Sequence, residues 1–165
     1  GIADAYFSDG NFVEAEGAYL EFASLHPTNE NLPYVSYQIG MCHYNQMSSI
    51  DRDQSETVKA QKEFERLIAR FPSSRFAFMA ERKLMDCRRA LAEQEFYIGR
   101  FYFKMKKYGA ALRRFEGIAR DYANLGLDYK VDYFLRETRR HLAAAEAAKK
   151  DAAPAGSSSA PNPTP

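Results

Sequence analysis

The sequence contains no tryptophan, only two cysteines, 9 glycines and 7 prolines among 165 residues, and almost no surplus of charge. Cys42 and Cys87 are too few and too far apart for the ligand spacing of a zinc or iron–sulfur site. Both lie in apolar-rich helical stretches, so they read as two buried free thiols, or as a disulfide between neighbouring helices in an oxidising compartment. Twenty-three basic residues against 22 acidic ones leave a net charge of +1, which excludes a general electrostatic grip on nucleic acid. No apolar run reaches the roughly 18 residues of a membrane-crossing helix. Nucleophile-elbow, phosphate-loop and dinucleotide glycine patterns are all missing. His26, His43 and His141 fall on different elements, as packed or surface histidines rather than a ligand set. The chain is therefore read as non-enzymatic, with no cofactor.

The scarcity of glycine and proline inside long segments leaves room for helices. With 45 % hydrophobic and 27 % charged residues the composition is that of a folded domain. One phrase recurs. Ala15, Tyr19, Phe22 and Pro27 have the same spacing as Ala60, Phe64, Leu67 and Pro72. Ala111, Phe115 and Ile118 repeat it, with Ala123 where proline should stand. Steps of four, three and five place these residues on one face of a helix that then stops, the second-helix signature of a tetratricopeptide repeat. Such repeats stack into scaffolds that hold other proteins. The fold class expected is all-α, a superhelical solenoid of helix pairs ending in a capping helix.

The organisation expected is a repeat domain over 1–150, with repeats at about 1–28, 31–72 and 74–123 and a capping helix at 127–149, then a disordered tail over 151–165. Tyr6 and Gly10 already lie late in a first helix and no Met precedes Gly1, so the chain reads as a piece of a longer protein. In repeat one, Asp9-Gly10-Asn11 turns into a second helix over Phe12–Leu25. In repeat two, Pro33 suits a first helical turn, and Gly40 is the small residue that admits the paired helix. Eight residues beyond the regular spacing widen the turn from Met47 to Glu56, and Asp53 with Glu56 has capping-box spacing. In repeat three, Ser74 caps one unusually long helix through 106, whose apolar positions are read as Phe78, Leu84, Met85, Leu91, Ile98, Phe101, Tyr102 and Met105. A second helix over Gly109–Tyr122 and the last helix, with Val131, Phe134, Leu135 and Leu142 as its stripe, complete the stack.

Two segments are candidates for function. Asp51-Arg52-Asp53-Gln54-Ser55 begins like a calcium loop, but Glu56 and Lys62 occupy the positions that need glycine and glutamate. It reads instead as a polar turn or a partner-contacting loop, with Asp51, Arg52 and Asp53 as contact residues. The run from Arg100 to Tyr108 mixes basic and aromatic residues, which fit the repeat's own packing and, beyond that, a protein partner better than nucleic acid. Counting from the small residue of each first helix, the concave groove is expected to present Asp4 and Phe7, then Tyr34, Tyr37, Met41 and Tyr44, then Glu93, Phe96, Arg100 and Phe103. Aromatics are unusually many there, and some of them belong to the core.

With these landmarks placed, the chain resembles the BamD family, lipoproteins of the outer-membrane β-barrel assembly machinery. The likeness is carried by HPTNENLPYVSYQIGMCHYNQ, by DRDQ inside the widened turn, by AQKEFERLIARFPSSRFAFMAERKL and by EFYIGRFYFKMKKYGAALRRFEGIARDY, over residues 1–142. Asp121-Tyr122-Ala123 departs from the family's Asp-Tyr-Pro. The resemblance implies a non-enzymatic protein on the periplasmic face of the outer membrane, anchored by an N-terminal lipid that lies outside this sequence. It implies binding to the POTRA domain of the barrel-forming subunit BamA, to accessory assembly lipoproteins, and to unfolded outer-membrane barrel substrates through the groove. By position, Arg114 matches the family's basic residue facing the POTRA domain. The alternative is another periplasmic repeat adaptor, in envelope or division machinery, against which the DRDQ insertion speaks.

Overall fold

The computed structural model describes residues 1–152, all of whose regular elements are helices: α1 (Ile2–Ser8), α2 (Phe12–Leu25), α3 (Leu32–Tyr44), α4 (Ser55–Arg70), α5 (Arg75–Lys104), α6 (Tyr108–Asp121) and α7 (Asp128–Ala152). Local chemistry sets most of the boundaries. Gly10 turns the chain between α1 and α2 at φ +78°, a conformation that costs a side-chain-bearing residue. Pro33 lies in the first turn of α3, where its missing N–H has no helical partner to lose. The Ser74 hydroxyl accepts from the Phe76 amide at 3.1 Å and starts α5.

The start of α4 differs from expectation. Gln54 stands at the cap position. The Asp53 carboxylate accepts the Ser55 amide at 2.6 Å, while Glu56 turns away to His43 and Lys59. The capping box is thus not formed, because the imidazole of the preceding helix competes for its glutamate. At the other end, α7 continues through Ala152, so Asp151 and Ala152 are helical rather than part of a tail. The rest of the expected tail lies outside the described residues.

Each helix packs mainly on the next one in the chain, and alternate helices also touch, as α3 does α5 and Phe134 of α7 does Phe96 of α5. This is the neighbour-to-neighbour pattern of a solenoid. The interior divides into three clusters. The first joins Ala15 and Tyr19 to Val35, Ile39 and Cys42. A second gathers Tyr37, Ala60, Phe64, Leu67, Ala80 and Cys87. The third is built on Ala92, Phe96, Ala111, Phe115 and Ile118, and is closed by Leu125, Leu127, Val131 and Leu135. The alanine and the aromatic of the recurring phrase hold corresponding places in all three. Ala15, Ala60 and Ala111 are fully buried, and Tyr19, Phe64 and Phe115 nearly or fully so.

The long helix departs from expectation in which side chains it buries. Phe78, Met85, Phe101 and Met105 face solvent. Leu91 is buried as expected and Leu84, Ile98 and Tyr102 are half-buried, but the rest of the buried stripe runs through Ala77, Ala80, Cys87, Ala92, Phe96 and Gly99. Packing between two flanking helices selects small residues on that face, since close approach of backbones leaves no room for large ones.

The two cysteines belong to different clusters and are free. The disulfide alternative is not adopted. Burial pushes both thiols up to about 12, so neither is a nucleophile at neutral pH.

Candidate functional site: partner-facing surfaces

The widened turn between α3 and α4, residues 45–54, is built around one side chain. Gln54 is buried. Its Nε2 donates to the Ser49 carbonyl at 2.6 Å and reaches the carbonyls of Ser48 and Arg52 at 3.3 Å. Its Oε1 accepts from the buried Thr57 hydroxyl at 2.7 Å. From α5, Gln94 Nε2 donates to the Arg52 carbonyl at 3.0 Å and ties the loop to the long helix. Asp51 accepts from the Ser49 hydroxyl at 2.6 Å. Hydrogen bonds to Ser49 and Ser55 hold the Asp51 and Asp53 carboxyls, respectively, below the ordinary aspartate range. Asp51 and Asp53 therefore shape the loop, and the Arg52 side chain is exposed. Gln54 and Gln94 had no signal in the sequence beyond lying in and opposite a long loop.

Replacing Gln54 by Ala leaves the Thr57 hydroxyl and the Ser48 carbonyl short of a partner, while the Ser49 and Arg52 carbonyls keep the Arg52 amide and Gln94, at a cost of about 1–3 kcal/mol. Amide hydrogen exchange should accelerate from Ser49 to Asp53 while the helices keep their protection. Unchanged protection in that loop would mean that Gln54 does not order it.

The expected groove is only partly open. Tyr37 and Phe96 are buried and cannot serve as groove surface. Phe76 of α5 covers Tyr37, with ring centroids 5.9 Å apart, and Phe134 of α7 covers Phe96 at 5.4 Å. The following helix in the stack lies over the face that sequence counting assigned to a ligand. Phe103 is half-buried among Tyr108, Phe134 and His141. Phe7 packs edge-on against Phe12, and Met41 against the second cluster. The Tyr44 hydroxyl donates to Asp86 at 2.8 Å, and Lys83 lies over its ring. Burial and the Asp86 carboxylate push that phenol up to about 12. Asp4 accepts from Tyr34 at 2.6 Å and from Tyr19 at 2.5 Å, so it too serves the scaffold. Of the positions expected to form the groove, Arg100 is the clearly exposed one and Glu93 is half-buried.

Arg114 lies on α6, facing α5. Its Nη1 donates to both oxygens of Glu95, at 3.0 and 2.9 Å, and its side chain remains 40 % exposed. Arg113, Arg120 and Asp121 lie around the same shallow depression. Nearby, Arg88 donates to the Asp121 carbonyl at 2.6 Å and Arg89 to that of Leu125 at 3.1 Å, fixing the α6–α7 connection to α5. That connection takes positive φ at Asn124 and Gly126, and it stops α6 without the expected proline.

His43 forms a polar clasp that the sequence did not disclose. Its ring is buried, with Nδ1 2.6 Å from a Glu56 oxygen and Nε2 3.1 Å from one of Glu16. Three successive helices, α2, α3 and α4, meet at that imidazole.

Proteins named outer membrane protein assembly factor BamD are similar to this chain. The one from Rickettsia prowazekii (strain Madrid E) is 32 % identical over 148 residues, covering 90 % of this chain and 59 % of its own length. That of Caulobacter vibrioides is 31 % identical over 114 residues, 69 % of this chain and 37 % of the relative. That of Neisseria meningitidis serogroup A is 31 % identical over 132 residues, 74 % of this chain and 49 % of the relative. The chain thus spans about half the length of the curated relatives it matches. The sequence model of the YfiO family, described as outer membrane lipoprotein, matches residues 1–153. With a helical repeat stack beneath that match, the chain belongs to the YfiO family of outer membrane lipoproteins.

Proposed function

We propose that this chain is the repeat scaffold of an outer-membrane protein assembly factor, acting without catalysis on the periplasmic face of the membrane. It binds the POTRA region of the barrel-forming subunit BamA and helps unfolded barrel substrates to insert. Accessory assembly lipoproteins are further partners, and a lipid on the longer protein holds it to the membrane. The observation that carries this reading is the family match over nearly all of a helical solenoid, and an ordered polar loop and an ionic rim at Arg114 support it.

Arg114 is the proposed POTRA contact. It is already engaged by Glu95, so a partner carboxylate must share or replace that pairing. Such a charge acts by steering and by local hydrogen bonding, and losing it costs about 2–5 kcal/mol when the pair is buried and mainly slows association when it is at a rim. Binding of immobilised POTRA domains should weaken with Arg114→Ala and weaken further with Arg114→Glu, the loss shrinking at high salt. Glu95→Gln keeps the guanidinium and releases it, so affinity should be retained or increased. A folded Arg114→Glu chain with unchanged affinity and kinetics would leave Arg114 as a partner of Glu95 alone and remove it from the interface.

A further inference from the structure

In the basic and aromatic run that begins at Arg100, Tyr102 lies beside Arg114, whereas Arg100, Phe101 and Lys104 face another way. These three border a cleft of about 450 Å³ between the C-terminal half of α5, the start of α7 and Ile50 at the tip of the α3–α4 loop. Tyr97 and Phe101 are exposed apolar walls, 48 % and 56 % accessible. Arg100, Lys104 and Lys130 stand on the rim, with Glu93 the single acid lining it. Among the described residues none of the three cations forms an ion pair, although eight such pairs join Lys, Arg or the N-terminus to carboxylates elsewhere. Two are held in place by rings instead. Lys130 Nζ lies 4.6 Å from the Phe96 centroid, and the Arg100 guanidinium 5.9 Å from the centroids of Phe96 and Phe134.

We propose that this cleft binds an acidic peptide segment that carries an aromatic or branched apolar side chain. The apolar side chain enters between Tyr97 and Phe101, and side-chain carboxylates of the same segment meet Arg100, Lys104 and Lys130. The spacing supports an extended segment. Arg100 and Lys104 are one helical turn apart, about 6 Å, and carboxylates on alternate residues of an extended chain lie about 7 Å apart. A nucleic acid is the poorer fit. The cleft has a surplus of two positive charges, three cations against Glu93, and the whole chain carries +1, so no broad field supports a phosphate backbone. The proposal rests on the reading of this chain as a scaffold for unfolded substrates, since Glu93, Phe96 and Arg100 belong to the expected groove, and is independent of the Arg114 contact, which lies on the face of α5 that bears Glu95.

The test uses the full chain and a short, end-capped, fluorescently labelled Asp-x-Asp-x-Phe peptide, whose three side chains share one face of an extended chain, read by anisotropy. Saturable binding should weaken by roughly tenfold or more in the Arg100→Glu, Lys104→Glu double variant. Lys62→Glu, an exposed charge reversal on α4, should change it less than about twofold. Phe101→Ala should weaken binding without altering the salt dependence, and replacing Phe by Ala in the peptide should do the same. All four positions are exposed, and helix content by circular dichroism verifies folding. The proposal is overturned by the absence of saturable binding, by equal losses in the double variant and Lys62→Glu, by indifference to the peptide's Phe, or by equally tight binding of a single-stranded oligonucleotide of matched charge.

Discussion

Truncating Phe115 to Ala should lower the stability of the C-terminal third of the chain by about 3–5 kcal/mol, the usual cost of deleting a fully buried aromatic ring. Phe115 is completely buried. It stacks on Phe134 at 5.3 Å, meets Phe96 at 5.7 Å, and fills the space beside Gly99. One ring therefore joins α5, α6 and α7, and each of the three loses a contact when it is removed. Neighbours can refill little of the void, since they are themselves clasped by α5 and by the Arg88 and Arg89 bonds to the α6–α7 connection. In a solenoid the damage should be local. Native-state hydrogen exchange should show α6 and α7 opening at much lower free energy, with α2 and α3 retaining protection. Uniform loss of protection across all helices, or a loss below about 1 kcal/mol, would contradict the separation of the interior into clusters.

Enlarging Gly40 should be the most damaging small-to-large change. A Cβ at this position would lie 2.4 Å from Phe64 Cε1 and under 3.0 Å from two more ring atoms. Phe64 is fully buried between Tyr37 and Tyr44 and has nowhere to turn. Gly40→Val should therefore cost at least the roughly 1–3 kcal/mol of ordinary overpacking. Gly17, on an exposed face of α2 with nothing within 4 Å, supplies the control. Gly17→Ala should stabilise by about 0.5–1 kcal/mol through helix propensity alone. Shortening the ring should relieve the strain, so Phe64→Leu should cost less in a Gly40→Ala background than in the native one. That non-additivity is what a shared contact requires. Strict additivity in thermal or denaturant unfolding would separate Gly40 from Phe64.

Much of this fold was legible in the spacing of alanine and aromatic residues. Ala60 and Phe64 could be assigned together because only one face of a helix can hold residues four apart against a partner. Gly40 was legible for the same reason. The apolar face of α5 was misread because hydrophobicity was weighed by size. Phe78 and Phe101 carry the strongest apolar signal, but the face between α4 and α6 admits Ala80, Cys87 and Gly99. The groove was misread at Tyr37 and Phe96 because counting along one helix cannot show which later helix lies over it. Polar devices left least trace. Nothing in the sequence pairs His43 with Glu16 and Glu56, or Gln54 with carbonyls of its own loop, since those partners are chosen by three-dimensional proximity.

The thirty residues of α5 have a mechanical consequence. At 1.5 Å per residue the helix is about 45 Å long. Its first half carries Ala80 and Cys87 of the second cluster, and its second half carries Ala92 and Phe96 of the third. Two cores that would otherwise be linked by a turn thus share one unbroken beam. Bending between them would require fracturing backbone hydrogen bonds, not merely sliding side chains. The docked α3–α4 loop and the Arg114 rim attach to that beam at adjacent residues, Gln94 and Glu95, and are therefore held on different faces of the same turn. A partner that touches both must wrap around α5 rather than reach along it, since successive helical residues are turned by about 100°.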